Sequence, residues 1–150
     1  MDDLQELYQE LILDHNRHPR NRRPLPEASH HADGYNPLCG DRVRISLLID
    51  GDVVRQATFE GKGCAISTAS ASLLTEALTG KTVSQARRMS QAFHAMLTGA
   101  GNAERSDVDL GKLRVFTGVC RYPARVKCAT LACHTFNAAL ENKKDMVTTE

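Results

Sequence analysis

From Arg42 the chain alternates residue by residue: Val43, Ile45, Leu47 and Ile49 fall on one side of an extended backbone, Arg44 and Ser46 on the other. A period of two belongs to a strand with one buried face. Asp50-Gly51 follows, a dipeptide suited to a tight hairpin. Val53 to Glu60 then supplies a returning strand in which Val53, Arg55, Ala57 and Phe59 alternate with Val54, Gln56 and Thr58. An antiparallel pair with one apolar face is stable only when something covers that face.

The flanking sequence offers the cover. Leu4, Leu7, Tyr8, Leu11 and Ile12 recur at helical spacing with Glu6, Gln9 and Glu10 opposite, which predicts an amphipathic helix over 3–15, capped by Asp2 or Asp3. It should stop by His18-Pro19. Residues 15–26 hold four arginines, two histidines and three prolines, the composition of an ordered but irregular surface segment. This is either a solvated basic edge or a docking face for an acidic partner. Past the hairpin, Gly61-Lys62-Gly63 breaks the strand. A helix is predicted over 65–79, with Ile66, Ala69, Leu73, Leu74 and Ala77 inward and Gly80 ending it. A second is predicted over 83–97 behind Thr82 as cap, then a loop over 98–105, a short helix near 108–116 and a last helix from Pro123 to about Glu141. Helices on both sides of a strand pair place the chain in the α+β class, and 150 residues fit one domain.

Nineteen basic against 18 acidic side chains, and only 5% aromatic residues, provide neither the positive field nor the stacking surfaces of a nucleic-acid binder. No apolar run is long enough to span a bilayer, and the acidic start Met1-Asp2-Asp3 has no export leader, so neither nucleic acid nor membrane is an expected partner and the expected location is cytoplasmic. Five cysteines in a reducing compartment then point toward metal or sulfur chemistry rather than disulfides.

Cys39, Cys64 and Cys128 match no compact zinc-finger spacing, but each falls at the edge of an expected element. Cys39 precedes Gly40-Asp41, where a glycine turn lets a thiolate and a carboxylate face one ion. Cys64 follows a glycine loop and opens a helix. Cys128 lies within two turns of a helix start, where free amides and the helix dipole favour a thiolate. The competing reading is that buried cysteines serve as small apolar residues. Cys133, five positions beyond Cys128, should point elsewhere around the helix and act as a core thiol; Cys120 could be an exposed secondary thiol. His94 and His134 are expected to be structural. His30-His31 belongs to a polar loop, with a transient metal or partner contact as the alternative.

Read together, four stretches resemble the iron-sulfur cluster assembly family of IscU and the amino-terminal part of NifU, and within it the SufU branch. These are Asp14-His15 with Pro19-Arg20-Asn21, Asn36-Pro37-Leu38-Cys39-Gly40-Asp41, Gly61-Lys62-Gly63-Cys64-Ala65-Ile66-Ser67 and Tyr122-Pro123-Ala124-Arg125-Val126-Lys127-Cys128. The resemblance implies a two-layer SufE/NifU-like fold, a small three-stranded antiparallel sheet packed with about five helices, and a metal site at one end. By motif position its ligands would be Cys39, Asp41, Cys64 and Cys128. IscU proteins carry a histidine directly before the last cysteine, where this chain has Lys127, as SufU-like proteins do. For that branch the resemblance implies zinc and acceptance of sulfur from a SufS-like cysteine desulfurase, on the way to the downstream iron-sulfur assembly machinery.

The residue chemistry agrees with zinc. Three thiolates suit tetrahedral Zn²⁺, the carboxylate is the most replaceable donor, and Lys62, Arg125 and Lys127 are placed to offset the negative site. The expected mechanism has the desulfurase docking, one ligand bond exchanging and a freed thiolate taking the persulfide sulfur, with Cys39, on a loop, as the acceptor. Two alternatives stand beside it: a scaffold on which a [2Fe-2S] cluster is built on the same residues, and a module whose zinc is purely structural.

Overall fold

The computed structural model describes residues 3–38, 40–99, 109–142 and 146–148; the side chains of residues 3–8 and 120 lie outside that description. Cys39, the cap residue Asp2, most of the expected 98–105 loop and the side chain of Cys120 therefore fall outside the described residues.

The elements run α1 (Asp3–Arg17), β1 (His30–Asn36), β2 (Asp41–Asp50), β3 (Val53–Lys62), α2 (Ala65–Leu78), α3 (Val83–Thr98), a 3-10 helix (Gly111–Arg121), α4 (Pro123–Leu140) and β4 (Val147–Thr148). The α+β class and the five helices among the described residues agree with expectation, but the sheet does not. It has four strands in the order β3-β2-β1-β4, and β4 runs parallel to β1, so it is mixed rather than three-stranded and antiparallel. His30-His31 opens β1 instead of sitting in a loop, pairing with Leu47 and Ser46. The expected short helix near 108–116 is a 3-10 helix that starts and ends later.

The β2–β3 hairpin forms as its alternation dictates, with Gly51 at φ +61° in the turn. The ladder shifts between Leu48 and Ile49. Pairing there passes from Gln56 directly to Val54, skipping Arg55, and this bulge puts Val54 on the same buried side as Ala57 and Phe59. The inner face of the sheet carries Ala32, Val43, Ile45 and Leu47. Against it lie α2 and α4, which bring Leu73, Leu74, Leu131 and Phe136, while α3 and the 3-10 helix close the far side through Phe93 and Phe116, whose rings tilt together at 5.6 Å. Each of these large side chains contributes roughly 1.5–3 kcal/mol by leaving water.

Two local signals hold as read. Thr82 caps α3 in a full capping box with Gln85, and Pro123 is the first residue of α4. The basic segment after α1 is ordered by its own side chains. Arg20 pairs with Asp14 at 2.8 Å, the buried His15 ring meets Ser72 Oγ at 2.7 Å through Nδ1, and the Arg20 backbone N–H donates to the same hydroxyl at 2.8 Å. Asn21, at φ +63°, accepts from the Phe59 N–H, so this segment borders the free edge of β3. The Asp14-His15 and Arg20-Asn21 motif is thus a staple between α1, α2 and the sheet. No helix among the described residues is long and apolar enough to cross a membrane.

Candidate metal centre

Three elements end at one point. The β1–β2 turn leads into Asp41, the first residue of β2, and its shape is fixed by two bonds to Asn36: the Gly40 N–H reaches the Asn36 carbonyl at 2.8 Å and the Leu38 N–H reaches Asn36 Oδ1 at 3.2 Å. Gly40 takes φ +76°, a region costly for a side chain. On the neighbouring strand, Gly61 at φ +138° lies so close to the Arg42 carbonyl that no Cβ fits. The chain then passes Gly63 and enters α2.

Cys64 occupies the N-cap of α2, a position usually held by Ser, Thr, Asp or Asn, and its sulfur accepts from the Ser67 N–H at 3.4 Å. Its own backbone N–H donates to Asp41 Oδ1 at 3.0 Å. Cys128, 4% exposed, lies in the second turn of α4 with its thiol against the Ala124 carbonyl at 3.5 Å.

The carboxylate of Asp41 and the sulfurs of Cys64 and Cys128 all lie within 4.8 Å of one another. A zinc tetrahedron with Zn–S bonds of about 2.3 Å has edges of about 3.8 Å, so closure on an ion asks only a small contraction. Asp41 is 3% exposed, and its Oδ2 has no hydrogen-bond partner among the described residues. A buried carboxylate oxygen free to take a ligand role beside two thiols forms a soft-plus-hard donor set that suits Zn²⁺. Cys39, the fourth expected ligand, is outside the described residues.

The other expected site residues are more peripheral. Lys62 and Arg125 are exposed and Lys127 is half-buried; among the described residues none of the three forms an ion pair. Any offset of negative charge they give acts through solvent. His30-His31 lies at the far end of β1 from Asn36, about 20 Å away along the strand, and His30 Nδ1 is hydrogen-bonded to Ser29. Cys133 is fully buried in the core, and burial pushes its thiol up to about 12. His94 and His134 meet edge to face at 5.0 Å between α3 and α4. Sequence reasoning missed Gly63. A Cβ there would stand 2.9 Å from Ser67 Oγ and 3.3 Å from Asp41 Cγ, so the missing side chain makes room for the carboxylate. The Gly-Lys-Gly run held that signal, but had been read only as a strand breaker.

Comparison with known proteins agrees with this architecture. The family model for the NifU-like N-terminal domain matches residues 7–129. The chain is 46% identical over 131 residues to the zinc-dependent sulfurtransferase SufU of Bacillus subtilis, covering 87% of this chain and 86% of that one. It is 33% identical over 138 residues to the iron-sulfur cluster assembly scaffold protein IscU of Streptococcus pyogenes, covering 92% and 85%. Among solved structures, a putative iron-sulfur cluster assembly scaffold protein for the SUF system from Fervidobacterium islandicum superposes with a TM-score of 0.80 at 34% identity, covering 91% of this chain and 98% of that one.

Proposed function

The chain belongs to the NifU-like N-terminal domain family, and from that premise we propose that it is a zinc-dependent sulfur-transfer protein. In this reading residues 1–150 act as one domain in the cytoplasm, Cys39, Asp41, Cys64 and Cys128 hold the ion, and the sulfur comes from a SufS-like cysteine desulfurase. The observation that carries it is the meeting of Asp41, Cys64 and Cys128 within 4.8 Å, with one carboxylate oxygen left unpartnered.

Bound zinc would supply a positive centre that keeps the thiols ionised near neutral pH. The rest is the work of the chain. The Ser67 N–H at the start of α2 holds the Cys64 sulfur, and the Cys64 N–H orients Asp41. Asp41 is the donor that a soft site holds least tightly. Cys39, as thiolate, attacks the outer sulfur of the desulfurase persulfide. A sulfur–sulfur bond forms on Cys39 as the donor's own bond breaks, and the donor cysteine departs as a thiolate. The transferred sulfur is then available to cluster assembly.

Metal analysis of anaerobically purified protein, followed by mass spectrometry after incubation with desulfurase and cysteine, tests this. One zinc per chain and a gain of one sulfur on Cys39, lost in Cys39→Ser, is expected. A Cys39→Ser variant that still gains sulfur would overturn the acceptor. A transferable iron chromophore would replace the reading with a [2Fe-2S] scaffold, and zinc without any effect on desulfurase turnover would leave a structural module.

A further inference from the structure

Outside the metal centre, the outer face of the sheet is divided between a covered half and an open half. The segment after α1 lies along the far part, burying Leu25 and reaching Gln56 through Arg23. The part nearest the donor cluster stays open. It holds a groove of about 280 Å³ whose lining includes Asp33, Arg42, Arg44, Glu60 and Met146.

The charges on this face are unevenly matched. Arg44 takes Asp33 in a two-pronged pair at 2.9 and 3.2 Å, and Glu60 lies directly across the ladder from it. Asp33 is thereby paired, while Glu60 forms no ion pair among the described residues. At the corner, Arg42 stands opposite Lys62 in the ladder, two like charges in a register that costs sheet stability. Arg22 joins them, its guanidinium donating to the Gly61 carbonyl at 2.9 Å. Among the described residues none of the three forms an ion pair.

Two of these cations are also held in place rather than waving in solvent. Arg22 is tied to backbone, and the Arg42 guanidinium lies 4.7 Å from the centroid of the Tyr35 ring. Side chains fixed before binding lose less entropy on docking. At the same end of the sheet, the β1–β2 turn presents Leu38, 69% exposed, next to Cys39 in sequence. An exposed apolar residue flanked by fixed cations has the composition of an interface anchor and its polar rim.

We propose that Arg22, Arg42 and Lys62, with Leu38 as apolar anchor, form the docking surface for an acidic patch of the sulfur-donating desulfurase. This rests on the sulfur-acceptor reading, and charge complementarity decides the occupant: three cations, two of them held in place, meet at the corner against the single acid Glu60. A partner bringing a persulfide to the β1–β2 turn would cover this end of the sheet.

The test uses the full chain and the cysteine desulfurase of the same organism, measuring both complex formation by sedimentation and sulfur-transfer kinetics across a salt series. The double variant Arg22→Glu/Arg42→Glu should raise the KM for acceptor at least tenfold, leave kcat within about twofold and flatten the salt dependence, with zinc content unchanged. Arg88→Glu, which makes the same type of charge change on the exposed face of α3, should match wild type. An unchanged KM in the double variant, or an equal effect of Arg88→Glu, overturns the docking surface. Wild-type protein that binds the desulfurase with the expected salt dependence but gains no sulfur would instead overturn the transfer reading and leave the surface standing.

Discussion

The Cys64 backbone N–H donates to Asp41 Oδ1 at 3.0 Å, so two candidate ligands from different elements are fixed to each other by the protein itself. The bond uses one carboxylate oxygen and leaves the other, Oδ2, buried and without a hydrogen-bond partner among the described residues. Gly63 makes this possible by leaving the space beside Asp41 Cγ empty. Gly63→Ala should therefore displace the carboxylate. Zinc affinity, read by competition with a chromophoric chelator, should fall about 10- to 100-fold, the effect typical of disturbing the support of a ligand. The fold should survive, because Gly63 is exposed and outside the core. Unchanged affinity would mean that Asp41 is not a ligand.

The same unpartnered oxygen has a cost when no metal is bound. A buried polar atom without a partner costs about 1–3 kcal/mol. Asp41→Asn keeps an acceptor for the Cys64 N–H and removes the charge. Chelator-treated Asp41→Asn should be more stable to urea than chelator-treated wild type by about 1 kcal/mol, whereas in the presence of zinc the order should reverse. Equal stabilities in both states would contradict the assignment.

These two residues also show what could and could not be read from the sequence. The β2–β3 hairpin was legible because its apolar side chains alternate and Asp50-Gly51 marks the turn. β1 was not, since its inward positions are Ala32, Gly34 and Asn36, with no apolar signal. Smallness is required there: a Cβ on Gly34 would run into Thr135 and stand 3.1 Å from the Leu131 side chain on α4. β4 is two residues long and exists only through its pairing with β1. The ladder shift at Arg55 is equally invisible to a period-two reading. Asp41, Cys64 and Cys128 come together only through the packing of β2, α2 and α4; their places at element edges marked them one by one, but spacing alone could not join them and only the family motif grouped them as one ligand set.

Cys133 lies one and a half turns beyond Cys128 on the same helix, yet faces the core, where burial pushes its thiol up to about 12. A thiol held so far above its ordinary range carries almost no thiolate at pH 8, so alkylation should pass it by. Iodoacetamide footprinting of native, zinc-free protein followed by peptide mass mapping should modify Cys64 well before Cys133, and Cys133 only after urea is added. Cys133→Ala should leave zinc content and sulfur acceptance at wild-type levels. Rapid native labelling of Cys133 would contradict its burial.

His15 is fully buried, and burial, more than the neighbouring Arg20 charge, holds its imidazole below the usual histidine range. Its Nδ1 meets Ser72, while Nε2 has no partner. Because the folded protein resists protonating this ring and the unfolded chain does not, the unfolded state takes up the extra proton as the pH falls below about 6.5. Stability is therefore full above that value and declines below it, by up to about 1.4 kcal/mol per pH unit for one proton, until the folded ring itself titrates. His134 is also lowered by burial and acts in the same direction, so the contribution of His15 must be isolated by substitution. His15→Asn retains a polar group near Ser72 without a titrating ring. Urea unfolding at pH 8, 7, 6 and 5 should show a shallower decline for His15→Asn than for wild type, with the curves converging toward pH 5 even if the variant starts less stable at pH 8. Parallel curves would place the acid sensitivity elsewhere, in His134 for example, whose imidazole burial also holds below the usual histidine range; the Asp14–Arg20 pair, with its carboxyl held low by the Arg20 hydrogen bond, loses its contribution only below this pH range.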